Sequence, residues 1–345
     1  MLFPLRRSGV SIVKLVKKNK FKLINFILKL LLSVVLVYVI FLQVDSKSFT
    51  VNTWQAFYQS LSITSFFLLF SAVVLVPVNL FFEVKKWHLL VNRFEEHSFS
   101  SAFLDILAGI TGGLVTPAAL GDYAARILRI SSENNWKAIW SNFVNSLSLN
   151  IIVIFSGLAG SMVLIFNRFE LDKGIWYFSV ITGILLAAFF VILFFNLHWL
   201  KPLFSRLAKK KYWSRVFMSY DSVSDISKTL QLKVLVLSFL RYAVFVLQYY
   251  LMLKLWGIPG HAVLLVSAVS TIYMMQTVMA VPPVLYWLVR GELALLILGN
   301  FTSHGVFILA ATFSLWVLNQ AIPAAIGWVI LMRTNISKYF GYEQS

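Results

Sequence analysis

Cysteine is absent from the sequence, which excludes a disulfide framework, a thiolate metal site and a catalytic thiol. Charge is scarce: only 12% of residues are Asp, Glu, Lys or Arg, too few to cover a soluble domain of this apolarity. The five histidines form no H-E-x-x-H pattern, and "EEH" at Glu95–His97 lies in a basic loop, so no metal site is expected. No Gly-x-Ser-x-Gly element, phosphate-binding loop or dinucleotide fingerprint occurs, and no cofactor is expected. What remains is apolar. Hydrophobic residues make up 59% of the chain, and Leu61–Phe82 and Ile175–Leu197 contain no charged residue at all. A helix of about 22 residues is about 33 Å long, enough to cross a bilayer core. The chain reads as an all-α, polytopic membrane bundle.

Six full spans are expected, near Leu23–Val44, Leu61–Phe82, Ile139–Phe166, Ile175–Leu197, Val234–Trp256 and Val306–Met332. The formal charge of +17 is distributed unevenly around them. Seven of the 30 Lys and Arg lie between Arg6 and Lys22, six between Glu83 and Ala138, eight between His198 and Lys233, and two after Met332. These segments share one side, which the positive-inside rule makes cytoplasmic. That gives a basic cytoplasmic tail (1–22), a membrane domain (23–332, halves 23–166 and 175–332) and a cytoplasmic C-terminal tail (333–345). Both termini are expected in the cytoplasm of a bacterial-type inner membrane, the N-terminal apolar run serving as a retained anchor. Basic loops such as Lys209–Lys211 suit the anionic inner leaflet. A nucleic-acid partner would need an exposed, folded basic module, and none is present.

Two segments interrupt the pattern. In Ser101–Arg129 a ten-residue helical stretch, Ser101–Ile110, is followed by "TGGLVTP" and then a second stretch from Ala118. In His261–Gly299 the break falls at Pro282–Pro283. Each segment dips into the membrane or crosses it twice. Each half thus reads span, span, interrupted hairpin, span, with a Gly–acid pair in the hairpin: Gly121–Asp122 and Gly291–Glu292. The second half starts on the opposite side, which is the layout of an inverted repeat.

The stretch "TPAALGDYAARIL" resembles the T-P-x-x-x-G-E-x-x-x-R signature of the lysylphosphatidylglycerol synthase transmembrane family, the flippase-like membrane domains. Thr116, Pro117, Gly121 and Arg126 match, and Asp122 stands where glutamate is usual. "VKKWHLL" (Val84–Leu90), "RYAVFVLQYYLMLKLWGI" (Arg241–Ile258) and "VRGELAL" (Val289–Leu295) echo later elements in family order. Gly291 separates Arg290 from Glu292, where the family places Arg and Glu side by side. The soluble aminoacyl-transferase domain of bifunctional members is not expected, and lysine transfer to lipid is not implied. The resemblance therefore implies a stand-alone flippase-like domain.

The expected site gathers the polar residues of the hairpins and of the span near Val234–Trp256. Asp122 and Arg126 share a helical face and pair, either to neutralise each other or to serve a ligand. Helix is expected to restart at Pro117 or Ala118 with Thr116 as N-cap, its amides facing a lipid phosphate. Arg241 lies deep in its span and needs a partner or a wet cavity, and Gln248 shares its face. Arg290 and Glu292 each need separate partners. Arg129 is read as a cytoplasmic anchor, and Glu83, Lys85, Lys86 and Trp87 as markers of the membrane edge. These residues imply binding and translocation of an anionic or isoprenoid-phosphate lipid. A membrane-embedded transferase of envelope lipid synthesis and a non-catalytic partner of an envelope-synthesis enzyme are the other two classes.

Overall fold

A computed structural model describes residue 55 and residues 62–114, 116, 119–168, 173–208, 214–279, 286–302 and 305–333. The expected span Leu23–Val44, the N-terminal tail, the C-terminal tail beyond Arg333, Pro117 and the Pro282–Pro283 break lie outside the described residues. Every regular element among the described residues is helical. Among the described residues four helices are long and apolar enough to cross a membrane, five if one bent pair counts as a span, so the chain is a helical membrane protein.

The first unit comprises a long helix α1 (Ile63–Val91), two short helices α2 (Phe99–Leu114) and α3 (Leu120–Arg126), and a long helix α4 (Asn135–Arg168). Ser62 starts α1 by accepting a hydrogen bond from the Ser65 amide at 3.2 Å. Next come α5 (Lys173–Phe195), a 3₁₀ turn, and α6 (Lys201–Ala208), α7 (Ser214–Met218) and α8 (Asp221–Ser224). The second unit comprises a long helix α9 (Lys228–Leu255), shorter α10 (Ala262–Val278) and α11 (Tyr286–Leu298), then α12 (Gly305–Trp316), which runs through a π turn (Val317–Ala321) into α13 (Ile322–Arg333).

The units interlock by exchange. α1 lies antiparallel on α9: Gln248 donates to the Ala72 carbonyl (3.0 Å), while Arg241 reaches Asn79 farther along α1 (3.2 Å). α2 packs antiparallel on α13, with Thr111 donating to the Ala324 carbonyl at 2.8 Å, and α4 packs on α10. The last two contacts are equivalent. Gly157 and Gly327 stand equally far into their long helices. A Cβ on Gly157 would strike Met274 and the Ser270 carbonyl; one on Gly327 would strike the Leu107 carbonyl and Thr111. Ser270 and Leu107 are in turn equally far into α10 and α2. In both places a missing side chain lets two backbones touch, the usual means of close helix association in lipid.

The outer faces are apolar. Phe66, Phe67 and Phe70 on α1, and Phe178, Leu185 and Phe189 on α5, are exposed, as lipid-facing side chains should be. Three sequence expectations need correction. Thr111, Gly112 and Gly113 do not break α2, which continues through them to Leu114, because the glycines allow close packing against Gly121 and Ala119 of the following strand of chain. The Ile175–Leu197 run ends as helix at Phe195 and then turns by 84° into the segment Leu197–Leu207. Helix α3 begins at Leu120, not at Pro117 or Ala118, and Ala119 takes a left-handed conformation (φ 55°) before it.

Candidate functional site

Helix α3 doubles back on α2, and their small residues set the geometry. A Cβ on Gly109 would meet Arg126 Cγ at 2.7 Å, so glycine there leaves room for the Asp122–Arg126 pair. Arg126 Nε donates to Asp122 Oδ1 at 2.8 Å, the local pairing their spacing implies. Thr116 does not occupy the N-cap position, which Ala119 holds, yet its hydroxyl reaches the start of the helix. Its hydroxyl donates to the Gly112 carbonyl (2.9 Å) and accepts from the Gly121 amide (2.7 Å), so that amide is already satisfied within the protein. Gly121 itself lies where a Cβ would strike the Gly112 carbonyl.

The pair belongs to a larger network. Arg126 Nη1 also donates to Glu83 Oε1 at 2.9 Å, and Arg241 Nη1 donates to Glu83 Oε2. Lys86 Nζ is 3.1 Å from the same carboxylate, and Asn145 donates to it at 2.8 Å. Asn142 completes the far side by donating to Asp122 Oδ2 at 2.9 Å. Glu83, Lys86 and Trp87 are packed inside the helical bundle, with relative exposures of 2%, 0% and 0%, and so are not exposed anchors reaching toward head groups. Helix α1 continues past them to Val91, which places Glu83 two turns inside its end. Arg129 is likewise paired inward, to Asp105 at 3.3 Å; the same buried carboxylate takes His97 Nε2 (2.7 Å) and Trp87 Nε1 (3.1 Å).

The network holds three cations, Lys86, Arg126 and Arg241, against two carboxylates, Glu83 and Asp122. Burying an unmatched charge is expensive unless something compensates it. Arg241 connects the network to a cavity of about 280 Å³ between the two units. Arg290 lines the same cavity. Its Nε donates to Gln276 Oε1 at 2.7 Å and its guanidinium stacks 4.9 Å from the Tyr273 ring centroid, both neutral partners. The Tyr273 hydroxyl is buried without a hydrogen-bond partner. Asn319 and Gln320, within the π turn, form another wall, and Asn150 of α4 the third. π turns of this kind concentrate at functional sites.

Of the other expected site residues, Gln248 is buried and serves the α1–α9 contact, outside the cavity. Gly291 faces Leu309 of α12, and Glu292 is exposed and does not line the cavity. The expected set missed Glu83, Asn142, Asn145, Tyr273, Gln276, Asn319 and Gln320. A signal existed for some of them: Ser141, Asn142, Asn145 and Ser148 recur at helical spacing in an apolar helix, and all are buried. Among the described residues no group of His, Asp and Glu is placed to hold a metal ion. No family model, curated protein or solved structure matches this chain.

Proposed function

We propose that this protein binds the head group of an anionic lipid in the cavity between its two units and carries that lipid across the membrane. The observation that carries the reading is the convergence of Arg241 and Arg290 on one cavity whose surroundings hold more cations than carboxylates. An anion there restores charge balance without costing the site its hydrogen bonds. An embedded transferase fits less well, because neither carboxylate nor histidine is among the described residues lining the cavity.

The reciprocal packing of the units supports reading them as an inverted repeat with the site at their interface, as in transporters that alternate access by rocking one repeat against the other. The cavity lies near the midpoints of α4, α9 and the π-containing helix, which supports a site midway along the membrane-spanning helices. The resemblance to the lysylphosphatidylglycerol synthase transmembrane family points the same way, and the reading places the protein in a bacterial-type inner membrane with both termini cytoplasmic. With no nucleotide motif, transport would run down a lipid or ion gradient.

The test is lipid binding by purified full-length variants. Arg290→Gln and Arg241→Gln should each weaken an anionic lipid by about tenfold, equivalent to about 1.4 kcal/mol. A neutral lipid should be unaffected. Anionic-lipid binding that survives both substitutions would remove the cavity from the function.

A further inference from the structure

We infer that the cavity selects a phosphate ester carrying an uncharged, hydroxylated group, and refuses head groups that carry an amine. The inference rests on the reading that the cavity receives a lipid head group, and it goes beyond charge to the chemistry of that head group.

Three features lead to it. First, the polar wall is made of guanidinium and carboxamide: Arg241 and Arg290, with Asn150, Gln276, Asn319 and Gln320. Among the described residues no carboxylate lines it, and the nearby Glu83 and Asp122 are already held by Lys86, Arg126 and Arg241. An ammonium brought into this space would face two guanidiniums with no free counter-charge, a like-charge juxtaposition that acts as discrimination. Second, a bare phosphate needs only donors, and the arginines supply them. The carboxamides of Asn150, Asn319 and Gln320 add acceptors, which an ionised phosphate cannot use and a hydroxyl can. Gln276 gives its Oε1 to Arg290 and keeps its NH₂ group. Asn319 donates weakly to the Leu315 carbonyl (3.4 Å) and keeps its oxygen. The π turn, which opens the helix by one residue per turn, puts Asn319 and Gln320 on this wall together. Third, the cavity is at the small end of ligand sites, so it takes one compact head and leaves the chain outside. Tyr242 is shared between its wall and a second, mainly apolar groove of about 750 Å³ between α4, α9 and α10, lined by Phe155, Phe239 and Val246. Head and chain of one amphiphile thus have adjoining places.

Two lipid classes offer this chemistry: glycerophospholipids with a glycerol head, and isoprenoid phosphates carrying a sugar. Calorimetric titration of the full-length protein in detergent, with short-chain phosphatidylglycerol, phosphatidic acid, phosphatidylethanolamine and a citronellyl phosphate hexose, separates them. At least one of the two hydroxylated ligands should bind tenfold or more tighter than phosphatidylethanolamine. Asn319→Leu and Gln320→Leu should weaken that ligand about tenfold but phosphatidic acid less than threefold. Gln320→Glu supplies the missing carboxylate, so it should weaken the hydroxylated ligand and improve phosphatidylethanolamine. That gain cannot come from misfolding. Equal binding of phosphatidylethanolamine and the hydroxylated ligands, or no gain in Gln320→Glu, overturns the selectivity while leaving an anion site standing. Failure of every anionic ligand to bind overturns the head-group reading itself.

Discussion

Replacing Glu83 with glutamine keeps the shape of the side chain and removes only its charge. Three cations then share the single carboxylate of Asp122, which contacts Arg126 and neither Lys86 nor Arg241 by any hydrogen bond. Removing one partner of a buried ion pair costs about 3–5 kcal/mol, because the other charge stays buried and uncompensated. Here three charges lose a partner, so the lower bound of about 3 kcal/mol applies at least once. Asp122→Asn is the control. Arg126 retains Glu83 at 2.9 Å, so the loss is one charge-assisted hydrogen bond, about 1.5–3 kcal/mol. Reversible unfolding in mixed micelles of non-ionic detergent and dodecyl sulfate measures both. Glu83→Gln should be the more destabilised. Adding Arg241→Gln to it should recover part of the loss, as a coupling of about 1 kcal/mol or more in a double-mutant cycle. A Glu83→Gln protein within about 1 kcal/mol of the parent, or more stable than Asp122→Asn, would refute the idea that this carboxylate is what neutralises the network.

The same unfolding assay tests the interlock of the units. Gly157→Ala and Gly327→Ala place a methyl against backbone carbonyls that no rotamer change can move, and each should cost about 1–3 kcal/mol. Gly183→Ala meets only the terminal methyl of Met162 and should be near neutral; equal effects at Gly183 and Gly327 would argue against backbone contact between α2 and α13. Orientation is checked by reporter fusions: those after Lys210 and at the C-terminus should read cytoplasmic, those at Ser48 and Asp172 external. An external signal at Lys210 contradicts the inverted arrangement of the units.

Composition and apolar run length alone determined the class, because a lipid-facing helix needs little more than about 20 apolar residues and no unmet backbone group. The Asp122–Arg126 pair was legible for a similar reason: a spacing of four is a local property of any helix. Which polar residues meet was another matter. Glu83, beside two lysines and a tryptophan near the end of an apolar run, has the local signature of a membrane edge. It is buried because Arg126 and Arg241, far along the chain, are folded against it. Thr116 looked like a helix cap, and the left-handed Ala119 displaced the helix start so that the same hydroxyl serves Gly121 instead. The cavity is assembled from α4, α9, α10, α11 and a π turn that no spacing rule announces. Local chemistry is written in neighbouring residues, whereas charge compensation and cavity walls depend on which helices pack. That packing was decided by close approaches at Gly157 and Gly327, whose meaning appears only when the opposing backbone is in place.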